Sequence, residues 1–217
     1  MNPVIIIPAY NPPNSFMSLL QAIRRITPIS IIILDDGSIP CIKLDDKNII
    51  LLRNNNNSGK GFSLLRGFNE AFKRGYTHAI TMDADSQHDP DMLLSFIQIN
   101  ENITIVLGNR QFNSNMPFHR KISNILTTLV ISYICNEKIF DSQCGYRRYI
   151  LENVCSETYI EHGFQFETEV LFKLLRNNGT IRHLDIPTIY AKENSSMNNF
   201  KDTIKFVRLI ARYMFRD

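Results

Sequence analysis

The chain opens on a β-branched apolar run, residues 3–7, that stops at Pro8, and similar runs recur at 29–34, 48–52, 77–82 and 103–107. Each is short, continuous and bounded by turn residues, which reads as a buried strand. The stretches between them change period. Phe16, Leu19, Leu20, Ile23 and Ile26 follow helical spacing behind Ser15, a candidate N-cap. Residues 60–73 set Phe62, Leu65, Phe68 and Phe72 on one helical face, and 90–99 follow Asp89-Pro90, an N-cap and first-position pair. Strand–helix alternation of this kind predicts an α/β architecture, a single Rossmann-like, mostly parallel sheet flanked by helices.

Beyond Arg110 the alternation weakens. The pattern predicts a helix with polar interruptions over 118–140, a short strand over 143–147 and a helix over 164–176 stopped by Asn178-Gly179. An edge strand over 181–190, interrupted by Pro187, and a closing helix over 199–215 complete it. At 217 residues one domain is expected. Its nucleotide-binding half would run over about 1–110, its acceptor half over about 111–198, and an amphipathic helix over about 199–217.

The strand ends carry the chemistry. The fourth run ends in Asp83-Ala-Asp85-Ser-Gln87-His88, the second in Asp35-Asp36-Gly37-Ser38. Open α/β sheets bind ligands at the carboxyl ends of their strands. The carboxylates of Asp83 and Asp85 with the amide oxygen of Gln87 are hard oxygen ligands suited to Mg²⁺ or Mn²⁺, which keeps waters and takes further ligands from phosphates. A divalent ion holding a diphosphate is therefore expected. Ser58-Gly59-Lys60-Gly61 resembles a P-loop only in part, since Asn54 stands at the first glycine and Gly61 where Ser or Thr should follow. It leaves Lys60 at a helix N-terminus, placed to meet a phosphate.

Composition narrows the partners. A net charge of +3 argues against a nucleic-acid partner, and four scattered cysteines without a Cys-x-x-Cys pair read as reduced thiols in a cytoplasmic protein. The apolar stretch 122–134 is broken by Ser123, Asn124, two threonines and Ser132 and is too short to span a bilayer. In the closing helix Lys201, Lys205, Arg208, Arg212 and Arg216 form one basic stripe beside apolar positions, so peripheral contact with the inner membrane face is a candidate role.

Five motifs in order, Ile6-Ile7-Pro8-Ala9-Tyr10-Asn11, Asp35-Asp36-Gly37-Ser38, Asn57-Ser-Gly59-Lys60-Gly61, Asp83-Ala-Asp85-Ser-Gln87-His88 and Gln143-Cys-Gly145-Tyr146-Arg147, resemble those of family 2 glycosyltransferases. The likeness is nearest to the dolichyl- and polyprenyl-phosphate sugar transferases. It implies the GT-A fold, a nucleotide-diphosphate sugar donor, Mg²⁺ or Mn²⁺ at Asp83, Asp85 and Gln87, and inversion at the anomeric carbon. It further implies nucleotide contacts at Pro8, Ala9, Tyr10, Asn11 and Asp36. Arg110 and Arg120 would face the acceptor phosphate and donor diphosphate, with Arg147 as a lesser contact.

Two acceptors remain open at this stage. A sugar hydroxyl, as in a cell-surface glycan, would need a base, for which Asp141 is the candidate. A lipid phosphate, with a second pKa of about 6, is already an anion and needs none. The donor-closing loop of related enzymes corresponds to 190–197, where Ser195 and Ser196 fit but Met197 stands for a lysine and Glu193 brings an opposing charge, leaving Lys192 as a substitute. A nucleotide-sugar binding protein without turnover is the reading that this departure keeps in play.

Overall fold

The computed structural model describes residues 1–111, 118–189 and 199–215, with the backbone alone for 118–121 and 199–201. Seven strands make one sheet in the order β3-β2-β1-β4-β6-β5-β7. These are β1 (Pro3–Ala9), β2 (Ile31–Asp35), β3 (Ile49–Arg53), β4 (His78–Thr81), β5 (Ile105–Arg110), β6 (Arg147–Ile150) and β7 (Ile181–Ile186). β6 runs antiparallel between β4 and β5, and every other pairing is parallel.

The residues of β1 divide between two cores. Val4 and Ile6 face the side covered by α2 (Lys60–Lys73), α5 (Leu151–Cys155), α6 (Phe166–Arg176) and α7 (Asn199–Met214). Ile5 and Ile7 face the side of α1 (Phe16–Ile26) and α3 (Leu93–Gln98). Burial on both faces explains why the strands read as continuous apolar runs. α4 (Phe118–Cys135) packs beside α6 and α7. Gly67 of α2 lies so close to the sheet that a Cβ there would meet the Ile6 and Leu34 side chains at 2.8 and 2.9 Å.

Several local expectations change. Ser15 is in the helical region and makes no side-chain cap; its hydroxyl instead accepts a hydrogen bond from that of Ser86. Asp89 does cap, its carboxylate accepting from the Asp91 N–H at 3.0 Å, but the first turn, Pro90–Met92, is a 3₁₀ helix. The strand expected over 143–147 begins instead at Arg147, and residues 143–146 are its lead-in. The helix over 118–140 stops at Cys135.

Candidate active site

Strand order reverses at β1: β2 and β3 follow on one side and β4 lies on the other. Such a switch point leaves a crevice at the strand ends. Tyr10 and Asn11 leave β1 there, and Asp83 to Gln87 leave β4 there. Ala9 is buried, Pro8 partly so, and Tyr10 is exposed at the mouth. Asn11 takes a positive φ of 44°, and its carboxamide oxygen accepts from the Ile39 N–H at 2.8 Å, which fixes the turn.

The cleft is lined by Asp83, Gln87, His88, Arg110, Gln143 and Gly145. Thr81, the last residue of β4, donates its hydroxyl hydrogen to the Gly145 carbonyl at 2.7 Å and so draws the 143–146 lead-in alongside the acidic turn. Lys60, at the N-terminus of α2, sits between two carboxylates, 2.7 Å from Asp83 and 2.9 Å from Glu167. Burial disfavours the ammonium, but Asp83 and Glu167 more than offset this and hold it charged. Burial likewise pushes the Asp83 carboxyl up, yet the Lys60 ammonium overrides it and keeps the group well below the usual carboxylate range. Lys60, expected to meet a phosphate, is thus engaged with the acidic turn itself.

His88 is buried, which lowers its pKa to about 4, with Lys60 and Arg110 adding to the effect against Asp83. It is neutral at pH 7. Its Nδ1 accepts from the Asp83 N–H at 3.0 Å, so its proton is on Nε2, 3.8 Å from the Asp83 carboxylate. The ring stacks on Tyr146 at 5.0 Å. Asp85 is partly exposed and accepts the Gln87 N–H at 3.0 Å, a short turn that passes through Ser86 at φ 62°.

Arg110 ends β5. Its Nε and Nη2 donate to the two oxygens of Asp141 at 2.7 and 3.1 Å. Burial works against the guanidinium's charge, and the Asp141 carboxylate raises its pKa nonetheless. Asp141 itself is fully buried and also accepts from the Gln143 N–H. The structure therefore sets Arg110 in the cleft and Asp141 behind it, which corrects the reading of Asp141 as a base facing an acceptor.

Two further expectations are corrected. Asp36 is buried, and its oxygens accept from Asn54 Nδ2, the Ser58 N–H and the Gly59 N–H at 2.7 to 2.9 Å. It shapes the entrance to α2, its two oxygens holding three donors of the 54–59 segment. Arg147 is buried, with its guanidinium donating to the carbonyls of Cys144, Ser142 and Glu167, so it ties the lead-in to α6 and does not grip a phosphate. Arg120 lies in the first turn of α4, its side chain outside the described residues; Lys192, Ser195 and the rest of the 190–197 loop, with Arg216, also lie outside them.

Glu167 joins the site without having been singled out as a member, while Gln143 and Gly145, quoted above as part of a motif, take places in its lining. Glu167 reads in the sequence as a helix-dipole acid, and the available signal is its helical spacing of three, four and seven from Val170, Leu171 and Leu174, a buried apolar row. Gly145 is needed for space: a Cβ there would lie 2.8 Å from Asp83 Oδ2 and 2.9 Å from Lys60 Nζ. Both are movable side-chain ends, so Gly145→Ala should fold as the parent does, by circular dichroism and thermal melting. It should still displace the Asp83–Lys60 pair and cost roughly a hundredfold in kcat/KM for the donor.

No three carboxylate, thiolate or imidazole groups converge among the described residues. The oxygens of Asp83, Asp85 and Gln87 lie instead on one partly exposed turn. Such an open donor set suits a hard ion that retains water and completes its shell from a diphosphate.

A glucosyl-3-phosphoglycerate synthase from Mycobacterium tuberculosis, in complex with Mn²⁺, UDP-glucose and phosphoglyceric acid, superimposes with a TM-score of 0.75 at 14% identity, covering 100% of this chain and 81% of that one. The fold is thus that of the GT-A glycosyltransferases, and the expected mostly parallel sheet is confirmed with β6 as its antiparallel exception. Residues 4–159 match Glycosyl transferase family 2, and the chain belongs to that family. A UDP-N-acetylglucosamine–dolichyl-phosphate N-acetylglucosaminyltransferase of Methanococcus voltae is 28% identical over 215 residues, 87% of this chain and 86% of that one. An undecaprenyl-phosphate mannosyltransferase of Micrococcus luteus is 25% identical over 191 residues, covering 81% and 79%. Among the described residues no helix is long and apolar enough to cross a membrane.

Proposed function

We propose that this glycosyltransferase moves a sugar from a nucleoside-diphosphate donor to a polyprenyl phosphate, with inversion at the anomeric carbon. The observation that carries the choice of acceptor is the Arg110–Asp141 pair. The carboxylate available as a base lies buried beneath the guanidinium, while the guanidinium lines the cleft. Asp83 is paired with Lys60 at 2.7 Å and is assigned here to the ion. A phosphate monoester needs no base at neutral pH, only cations to bring two anions together. The relatives that act on dolichyl and undecaprenyl phosphates support the same reading.

Asp83, Asp85 and Gln87 would hold Mg²⁺ or Mn²⁺, in keeping with the Mn²⁺ and UDP complexes of the structural neighbours. The ion, when bound, offsets charge gathering on the departing diphosphate. Tyr10 and the Asn11 turn would flank the nucleoside. Arg110 would orient the acceptor phosphate for attack opposite the leaving group, and Lys60 would keep Asp83 ionised. Arg120 and Ser195 remain candidates for the acceptor and donor phosphates. Contact of α7 with the membrane would bring the enzyme to its lipid.

The test is a transfer assay with UDP- and GDP-sugars, Mn²⁺, and either a short-chain polyprenyl phosphate or a glycan hydroxyl acceptor. Product should form on the phosphate alone. Product on the hydroxyl alone, or nucleotide-dependent thermal stabilisation without any product, overturns the reading.

A further inference from the structure

Two cations stand beside the cleft, and they are held differently. Arg110 is paired with Asp141, which is no part of the acidic turn. Lys60 shares its charge between Asp83 Oδ1 at 2.7 Å and Glu167 Oε2 at 2.9 Å. Asp83 is one of the oxygen donors assigned to the divalent ion. Lys60 therefore sits on a carboxylate that the ion would also use, and two cations on one carboxylate repel each other.

The surroundings let the ammonium move and little else. The start of α2 is pinned, because the Phe62 N–H donates to the His162 carbonyl at 3.0 Å and a Cβ at Gly61 would collide with that of Phe166. Glu167 follows Phe166 on α6, and its own carbonyl accepts from Arg147 at 2.8 Å. The backbone is thus fixed on both sides, while the four-carbon stem of the lysine is flexible. Glu167 also has acceptor capacity to spare. Its Oε1 is buried and has no hydrogen-bond partner among the described residues, a cost that a further N–H would relieve.

We infer that Glu167 is a positioning residue, which receives the Lys60 ammonium when a divalent ion occupies the acidic turn. Without the ion Lys60 neutralises Asp83; with the ion in place Glu167 neutralises Lys60. The inference rests on the assignment of the ion to Asp83, Asp85 and Gln87, and adds that Lys60 competes with it. Competition has a sign that a purely structural lysine lacks. A lysine that only shaped the turn would, on removal, loosen the donor set and weaken ion binding. A competing lysine would, on removal, tighten it.

The test is a titration with Mn²⁺ alone, in which the paramagnetic resonance of the free ion reports binding and no turnover is needed. Lys60→Met should bind Mn²⁺ about tenfold more tightly than the parent, and Glu167→Gln about tenfold more weakly, since its lysine has lost the second partner. The double variant Lys60→Met/Glu167→Gln decides between a handover and two independent charge effects. Independent effects would cancel and return it to the parental affinity. A handover leaves Glu167 with no lysine to receive, so the double variant should match Lys60→Met within about twofold. This variant removes both buried charges together, so it should fold even where Lys60→Met alone leaves Glu167 uncompensated and unstable. Asp85→Asn, made in each background, should abolish the binding and so place it at the turn. Asp85-dependent binding that is equal in parent and double variant, or weaker in the latter, overturns the handover alone. Absence of Asp85-dependent binding in both overturns the ion assignment and the handover with it.

Discussion

Replacing Asp85 with alanine should lower metal-dependent sugar transfer by about a thousandfold, the rate equivalent of about 4 kcal/mol of lost charge stabilisation on the leaving diphosphate. The residue also has a local duty, since its carboxylate accepts the Gln87 N–H at 3.0 Å and shapes the turn after β4. Asp85→Asn separates the two: an amide oxygen preserves the turn but is a poor ligand for a hard divalent ion. Both variants should melt close to the parent, and both should show weakened Mn²⁺ binding by calorimetry. Full transfer by either one would remove Asp85 from the metal site and, with it, the assignment of the acidic turn to the diphosphate.

The second large effect is expected at the Arg110–Asp141 pair, where a base role and a positioning role predict different observables. Asp141 is fully buried and Arg110 mostly so. Asp141→Asn would leave a buried guanidinium without its counter-charge, which typically costs about 3 kcal/mol or more. A chain of this size should then melt lower by roughly 6–12 °C. With Arg110 less firmly held, KM for the phosphate acceptor should rise more than kcat falls. If Asp141 instead acted as a general base, kcat would drop by roughly a hundredfold to ten-thousandfold. Stability would then change little, and the pH–rate profile would lose its acid limb. Melting curves and the split between KM and kcat thus decide between the two from one substitution.

Much of this architecture can be read from the sequence because burial on both faces leaves a plain mark. β1, β2 and the first half of β5 are built on apolar runs, β4 is buried throughout although His78 and Thr81 are polar, and the acidic turn after β4 stands where a parallel sheet brings ligands. The failures share a physical cause. Asp36 at a strand end before Gly37 looks the same whether its carboxylate accepts from a nucleobase or from the Ser58 and Gly59 N–H groups. Arginine is rarely buried. Yet Arg147 and Arg148 are both enclosed and donate to backbone carbonyls, tying β6 to α6 on one face and to the end of α3 and the residues after it on the other. The periodicity of α4 gives a helix but not its orientation, and its apolar stripe is the side that the core does not cover. Gly145 and Glu167 come to Lys60 and Asp83 only through the tertiary path of the lead-in and α6, which no local pattern encodes.

The position of β6 has a consequence for how the chain is made. The strand at 147–150 separates β4 from β5, although Arg147, the residue that begins it, follows Thr81 by 66 positions. Until the ribosome has delivered that segment, the nascent polypeptide carries two apolar strands whose hydrogen-bonding edges have no native neighbour, and such edges recruit other chains. A fragment ended at Arg110 would expose the same edges permanently. Residues 1–110 produced alone should therefore aggregate more readily than the whole chain, as light scattering of the two would show.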